Sequence, residues 1–231
     1  MPNSTSSPVV LSDATPVASS AVSPAEERRE HELLSGSLGV FLRCGIKSVT
    51  MDDIARQLGV SKKTLYRHFR DKRDLVARTV AFQMQAQEQM LSELDAHPGN
   101  AIDVELALMD RMRGLIDAMH PSVLYDLEKY HGRVFHELME RRASSLLAFS
   151  ERNLIRGQRE GVYRADFEPR LVARFLIGLT EQLDPMRLVA ETGCPLTTIH
   201  ESAFVYHIRA IASPEGLAYV NSKLAAQAPT A

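Results

Sequence analysis

Two pairs of side chains in this 231-residue chain have the spacing of metal ligands: Asp117 with His120, and Glu128 with His131. Three residues apart, a carboxylate and an imidazole share one face of a helix. Paired segments of this kind hold two metal ions inside four-helix bundles. Here Pro121 separates the pairs, no further glutamates stand in matching positions, and His136 follows His131 by five residues, roughly 140° around an ideal helix. A metal-dependent helical-bundle enzyme using Asp117, His120, Glu128 and His131 is therefore the alternative reading, resting on half a cluster. Solvated side chains, or one histidine in a ligand pocket, account for the same residues without a metal. The chain has no glycine-rich phosphate loop and no nucleophile elbow, so no enzyme and no cofactor are expected. Cys44 and Cys194 have no CxxC partner and read as small core residues in a reducing compartment.

A different chemistry is written between Ser61 and Arg70. Lys62, Lys63, Thr64, Tyr66, Arg67 and His68 can nearly all donate hydrogen bonds or carry positive charge, and no acid stands among them. From Arg43 to Arg78 ten basic residues face four acidic ones, a local charge of +6 in a chain of net charge -2. A basic module on an acidic body points to a polyanion partner at one end only. Thr50 followed by Asp53 opens a short helix, Gly59 turns the chain, and Ser61 caps a second short helix. Ile54, Ala55, Leu58, Val60, Leu65 and Phe69 fall where two short helices must pack across a tight turn. That is the spacing of a helix-turn-helix, whose second helix enters the DNA major groove. Lysines and arginines there neutralise phosphates, and some reach guanine edges. Tyr66 and Lys72 suit phosphate contacts, although a tyrosine at that position also suits a half-buried ring with a wet hydroxyl.

Residues Leu33–Leu75 resemble the DNA-binding domain of the TetR family. The match runs through Leu33-Leu34, Phe41, Gly45, Thr50, Asp53-Ile54-Ala55, Gly59-Val60-Ser61, Thr64-Leu65-Tyr66, His68-Phe69, Lys72 and Leu75. Gly36-Ser37 stands where the family carries two alanine-like residues, and Lys63 stands where it is usually small. The segment from Gly157 to Gly178 resembles the junction before the family's dimerising helices. The resemblance implies an all-α protein with a three-helix DNA-binding head and a larger helical effector-binding and dimerisation domain. It implies double-stranded operator DNA as one partner, a small-molecule effector as another, a homodimer, and a repressor that the effector releases. The expected DNA-binding residues are Thr50, Ser61, Lys62, Lys63, Thr64, Tyr66, Arg67, His68 and Lys72.

The elements that must position these residues follow from helical spacing and its punctuation. Residues 1–24 are rich in Ser, Thr, Pro and Ala and bury too little surface to offset ordering, so they read as a disordered tail. The head then spans 25–71 and the body 72–231. Helices are expected over about 25–44, 50–58, 62–69, 72–95, 101–119, 121–130, 132–160, 169–190, 196–211 and 214–224. Period-two alternation is lacking, so no sheet is expected.

The helix over 169–190 and the helix over 196–211 are apolar on most sides, which requires cover from their own core and from a second copy. Phe175, Leu179, Leu183, Phe204, Ile208 and Ile211 are the expected dimer contacts. Met109, Met112, Leu115, Ile116, Met119, Tyr125, His131, Phe135, Met139 and Phe175 are the expected effector lining. Several adaptable methionines suit an apolar ligand, and the same stripe equally suits a plain core. No apolar run approaches the roughly 18 residues a membrane span needs, and no leader peptide is evident, so a cytoplasmic protein with no membrane partner is expected.

Overall fold

The computed structural model describes residues 23–182 and 185–227, without the side chains of 179–182, 185, 186 and 227. The helices are α1 (Pro24–Cys44), α2 (Met51–Gln57), α3 (Lys62–His68), α4 (Lys72–Asp95), α5 (Ala101–Ala118) and α6 (Ser122–Tyr130). They continue with α7 (Gly132–Arg159), α8 (Pro169–Gln182), α9 (Pro185–Thr192), α10 (Leu196–Ile211) and α11 (Pro214–Gln227). Among the described residues there is no strand, and Tyr163 meets Ala212 in a single antiparallel bridge. The expected tail over 1–24 lies almost wholly outside the described residues.

Local chemistry sets most helix starts. Ser23, Thr50, Ser61, Asp71 and Asn100 each cap the helix that follows through a side-chain oxygen. Thr50 with Asp53, and Asn100 with Asp103, form reciprocal capping boxes. The stretch read as one helix over 169–190 is instead two. Pro185 begins α9, and a proline inside a helix removes one amide and crowds the carbonyl four residues earlier.

The head has its own core. Leu33, Leu34, Val40 and Phe41 of α1 pack with Ile54 and Ala55 of α2, Leu65 of α3, and Phe69 just after it. Each of these larger side chains stabilises by roughly 1.5–3 kcal/mol on full burial. Gly36 lets Leu58 approach α1, because a Cβ at 36 would overlap the Leu58 side chain. Helix α4 belongs to both halves: Leu75 and Val76 lie in the head core, while Leu91 and Leu94 lie in a body cluster with Val104, Leu108, Met112 and Phe149. A second body cluster gathers Ile102, Leu106, Met109, Leu154, Tyr163, Ile208 and Ile211, and Phe204 of α10 packs against both.

Candidate functional site

The head presents α3 as its exposed edge. Leu65 and Phe69 are fully buried, which fixes the helix's rotation and turns Lys62, Lys63, Tyr66 and Arg67 to solvent. Ser61 accepts from the Thr64 amide at 3.0 Å and shares a 2.8 Å hydrogen bond with the Thr64 hydroxyl. Thr50 accepts from the Asp53 amide at 3.2 Å. Both capping residues therefore spend their side-chain oxygens on holding the helices. Lys62 pairs with Asp52 of α2 at 2.9 Å, and this hydrogen bond and charge hold its pKa above the usual lysine value.

His68 and Lys72 are less open. The His68 ring is half-buried with Nε2 enclosed and unpaired, and its carbonyl accepts from Arg78 Nη1 at 2.8 Å. Arg78 also pairs with Glu30 and lies 4.9 Å over the Phe69 ring, so one α4 guanidinium ties α1, α3 and α4 together. Lys72 is half-buried and donates to the Lys47 carbonyl at 3.3 Å; burial lowers its pKa. The nine expected DNA residues thus lie together in the head. Four project outward, Lys62 among them tied to Asp52, three act through caps, and His68 and Lys72 sit deeper.

The sequence reading missed the junction between head and body. Asp126 of α6 is 5% exposed. Its Oδ2 accepts from the backbone amides of Ile46 and Lys47 at 3.0 and 2.8 Å, and from Ser122 Oγ at 3.3 Å. Gly45, at φ 79°, begins this turn, and a Cβ there would overlap Ser122 Oγ. The His120 amide donates to the Leu42 carbonyl. So α6 grips the turn that leads from α1 into the helix-turn-helix. No local signal in the sequence marks this, because the partners are 80 residues apart.

The ten expected effector residues do not form one lining. Met109 lies in the cluster around Tyr163, while Met112 and Leu115 join the one around Phe149. Met119 and Phe135 pack against the head core, Ile116 and Met139 are half-buried, and Tyr125 and Phe175 are exposed. His131 borders an open cleft of about 340 Å³ with Lys47, Lys72, Arg73 and Tyr130. Burial, then the charges of Lys72 and Arg73, lower its pKa. His120 Nδ1 is engaged by Ser122, Asp117 and Glu128 are exposed, and no group of three or more metal-binding side chains converges among the described residues.

Of the expected dimer contacts, Ile208 and Ile211 lie inside the chain's own core and Phe204 is half-buried. Phe175 is 59% exposed. Leu183 and the Leu179 side chain lie outside the described residues. Among the described residues, no helix is long and apolar enough to cross a membrane.

Comparison with known proteins follows this division. Residues 33–79 match the family of bacterial regulatory proteins, tetR family. The chain is 27% identical over 162 residues to the HTH-type transcriptional repressor KstR2 of Mycobacterium tuberculosis, covering 64% of this chain and 76% of that one. A TetR-family transcriptional regulator from Agrobacterium tumefaciens has a similar fold, with TM-score 0.62 and 20% identity over 81% of this chain and 99% of that one. The regulator FadR from Bacillus subtilis, solved in complex with stearoyl-CoA, gives TM-score 0.53 and 16% identity, covering 79% of this chain and 99% of that one.

Proposed function

We propose that this chain is a DNA-binding transcriptional regulator of the TetR type, which represses its target promoter and is released by a small molecule bound in the body. The observation that carries the DNA reading is α3: a buried Leu65 and Phe69 beneath Lys62, Lys63, Tyr66 and Arg67, with no acid on the helix. Such a face meets phosphates and base edges together. The curated relative KstR2 is itself a repressor, and the α6 grip on the turn before α2 supplies a route by which the body moves the head. An effector acts by binding one head arrangement more tightly than the other. In this reading the protein works in the cytoplasm, where its operator is, as a regulator without enzyme activity.

The operator-binding unit in this reading is a homodimer joined through α8 and the outer face of α10. Leu171 and Phe175 lie four residues apart on α8, and both are exposed. Tyr206 of α10 is 80% exposed, flanked on the same face by exposed Ala203 and Ala210. A second copy covers these surfaces and sets two heads about one DNA turn, roughly 34 Å, apart.

The decisive experiment captures chromosomal fragments with the full chain, then titrates the recovered operator and a random duplex at several salt concentrations. Lys63→Ala with Arg67→Ala should weaken operator binding and relax its specificity, whereas Lys72→Ala should weaken both duplexes and lower the salt slope by about one unit. Unchanged binding after all four exposed α3 side chains are truncated would sink the DNA assignment. For the dimer, sedimentation of Tyr206→Glu should show a folded monomer; a folded dimer with normal operator affinity would move the interface elsewhere.

A further inference from the structure

Among the described residues, one arginine of the body has no partner for its charge. Arg142 of α7 is half-buried, and among the described residues no hydrogen bond or ion pair reaches its guanidinium. Its neighbour Arg141 is paired with Glu88 at 2.7 Å, so acids are present on the adjoining face of α4 but do not serve Arg142. The protein packed around the guanidinium lowers its pKa, with no compensating carboxylate. An unpaired guanidinium in such a place costs stability unless something anionic completes it.

The face of α10 turned toward the core offers donors and apolar groups. The inward face of α10 carries His200, Phe204, His207 and Ile208, whereas Ala203, Tyr206 and Ala210 point outward. His200 stacks on Phe204 with ring centroids 5.8 Å apart, and burial followed by the Arg142 charge pushes its pKa down. His207 stands two turns further along the same face, roughly 10 Å away. Its Nε2 is buried without a partner, and burial lowers its pKa to about 4, so the ring is neutral at pH 7. One turn beyond Arg142 on α7, Leu146 joins Met112, Leu115 and Phe204 in one apolar cluster.

The geometry points to an anion-binding site in the body, in which Arg142 with His200 takes the carboxylate or phosphoryl group of an apolar-tailed small molecule. The cluster of Met112, Leu115, Leu146 and Phe204 covers the tail. Arginine presents a planar fork that matches carboxylate and phosphoryl oxygens in pairs. His200 adds a donor beside it, and His207 meets a polar atom further along an elongated ligand. This assignment rests on the effector reading of the body and names the chemistry of the effector.

The test uses the full-length protein, Arg142→Met, and four ten-carbon probes: decanoate, decyl phosphate, decanol and decyltrimethylammonium. Without ligand, Arg142→Met should raise the melting temperature, because it removes an unpaired charge from a partly enclosed site. A lowered melting temperature would mean that Arg142 has a structural partner, and would overturn the assignment. By calorimetry, decanoate or decyl phosphate should bind the parent protein roughly tenfold more tightly than decanol, and Arg142→Met should erase that preference while leaving decanol binding intact. The better of the two anions identifies a carboxylate or a phosphoryl effector. Equal binding of decanol, stronger binding of the cation, no anion binding at all, or an undiminished preference in Arg142→Met would each overturn the site. Operator release is measured in parallel. Anion binding that depends on Arg142 but leaves operator affinity unchanged supports the site and refutes the sensor reading. Release by decanol or the cation alone, unaffected by Arg142→Met, refutes the site and leaves the sensor standing.

Discussion

Two carboxylates are buried almost equally, one at the junction with the head and one deep in the body, and they are served very differently. Asp126, 5% exposed, accepts two backbone amides and a serine hydroxyl. Glu105 of α5, 1% exposed, accepts only the Asn153 amide at 3.1 Å, and its Oε2 has no partner. The Asn153 amide also reaches the Ala101 carbonyl at 3.0 Å, while its own Oδ1 is unpaired. A carboxylate that accepts three hydrogen bonds is held in one geometry; one with an unpartnered buried oxygen leaves free energy that a proton or a donor can collect.

Breaking the junction should have the largest effect. Asp126→Ala strands the Ile46 and Lys47 amides under α6 and should cost about 3 kcal/mol. It should also weaken operator binding while the helical content of the body is kept. Denaturant unfolding and DNA titration of one preparation check this. Wild-type affinity in a destabilised mutant would show that the grip supports the fold but does not orient the head.

The body core should show itself through pH. Burial raises the Glu105 pKa from 4.5 to about 7, against a smaller opposing contribution from the Asn153 hydrogen bond. Between those values the folded protein keeps a proton that the unfolded chain has released. Its contribution is therefore full below about pH 4.5 and is lost as pH rises through 7. The loss amounts to about 2 kcal/mol between pH 5 and pH 7. Glu105→Gln should remove this slope, so its stability relative to the parent should rise from pH 5 and level off above about pH 7. Parallel profiles for the two proteins would mean that Glu105 titrates normally.

The helix caps give the smallest change and a control on the head. Thr50→Ala loses a capping box and Ser61→Ala a single cap. Each should cost about 1 kcal/mol, Thr50 slightly more, with no change between pH 5 and pH 8, since the Asp53 carboxyl that Thr50 holds low titrates in the acid range. Melting curves at pH 5 and pH 8 distinguish these shifts from the Glu105 effect.

These contrasts also explain what the chain's sequence disclosed. The head was legible because its instructions are local: Thr50 with Asp53, Gly59 and Ser61 fix two short helices within a dozen residues, and Leu65 with Phe69 fixes which side of α3 faces out. The helices of the body were legible for the same reason, apart from Pro185, a break read through as continuous helix. Which face of α10 turns inward was not legible, because Ile208 and Tyr206 both fit an apolar helix and only packing against α5 separates them. Asp126 and Arg142 carry no local signature at all. One matters for amides 80 residues away, and the other has no partner among the described residues.

The pairing of Lys62 with Asp52 changes how this head searches DNA. A lysine already neutralised within the protein adds little to the counterions released on meeting a phosphate, so the salt slope should be shallower than a tally of exposed cations on α3 implies. Lys63 and Arg67, exposed on the same helix, stay available to phosphates and base edges alike. Because both side chains of the pair are more than half exposed, Lys62 gives up Asp52 at small cost wherever the DNA offers it a better acceptor.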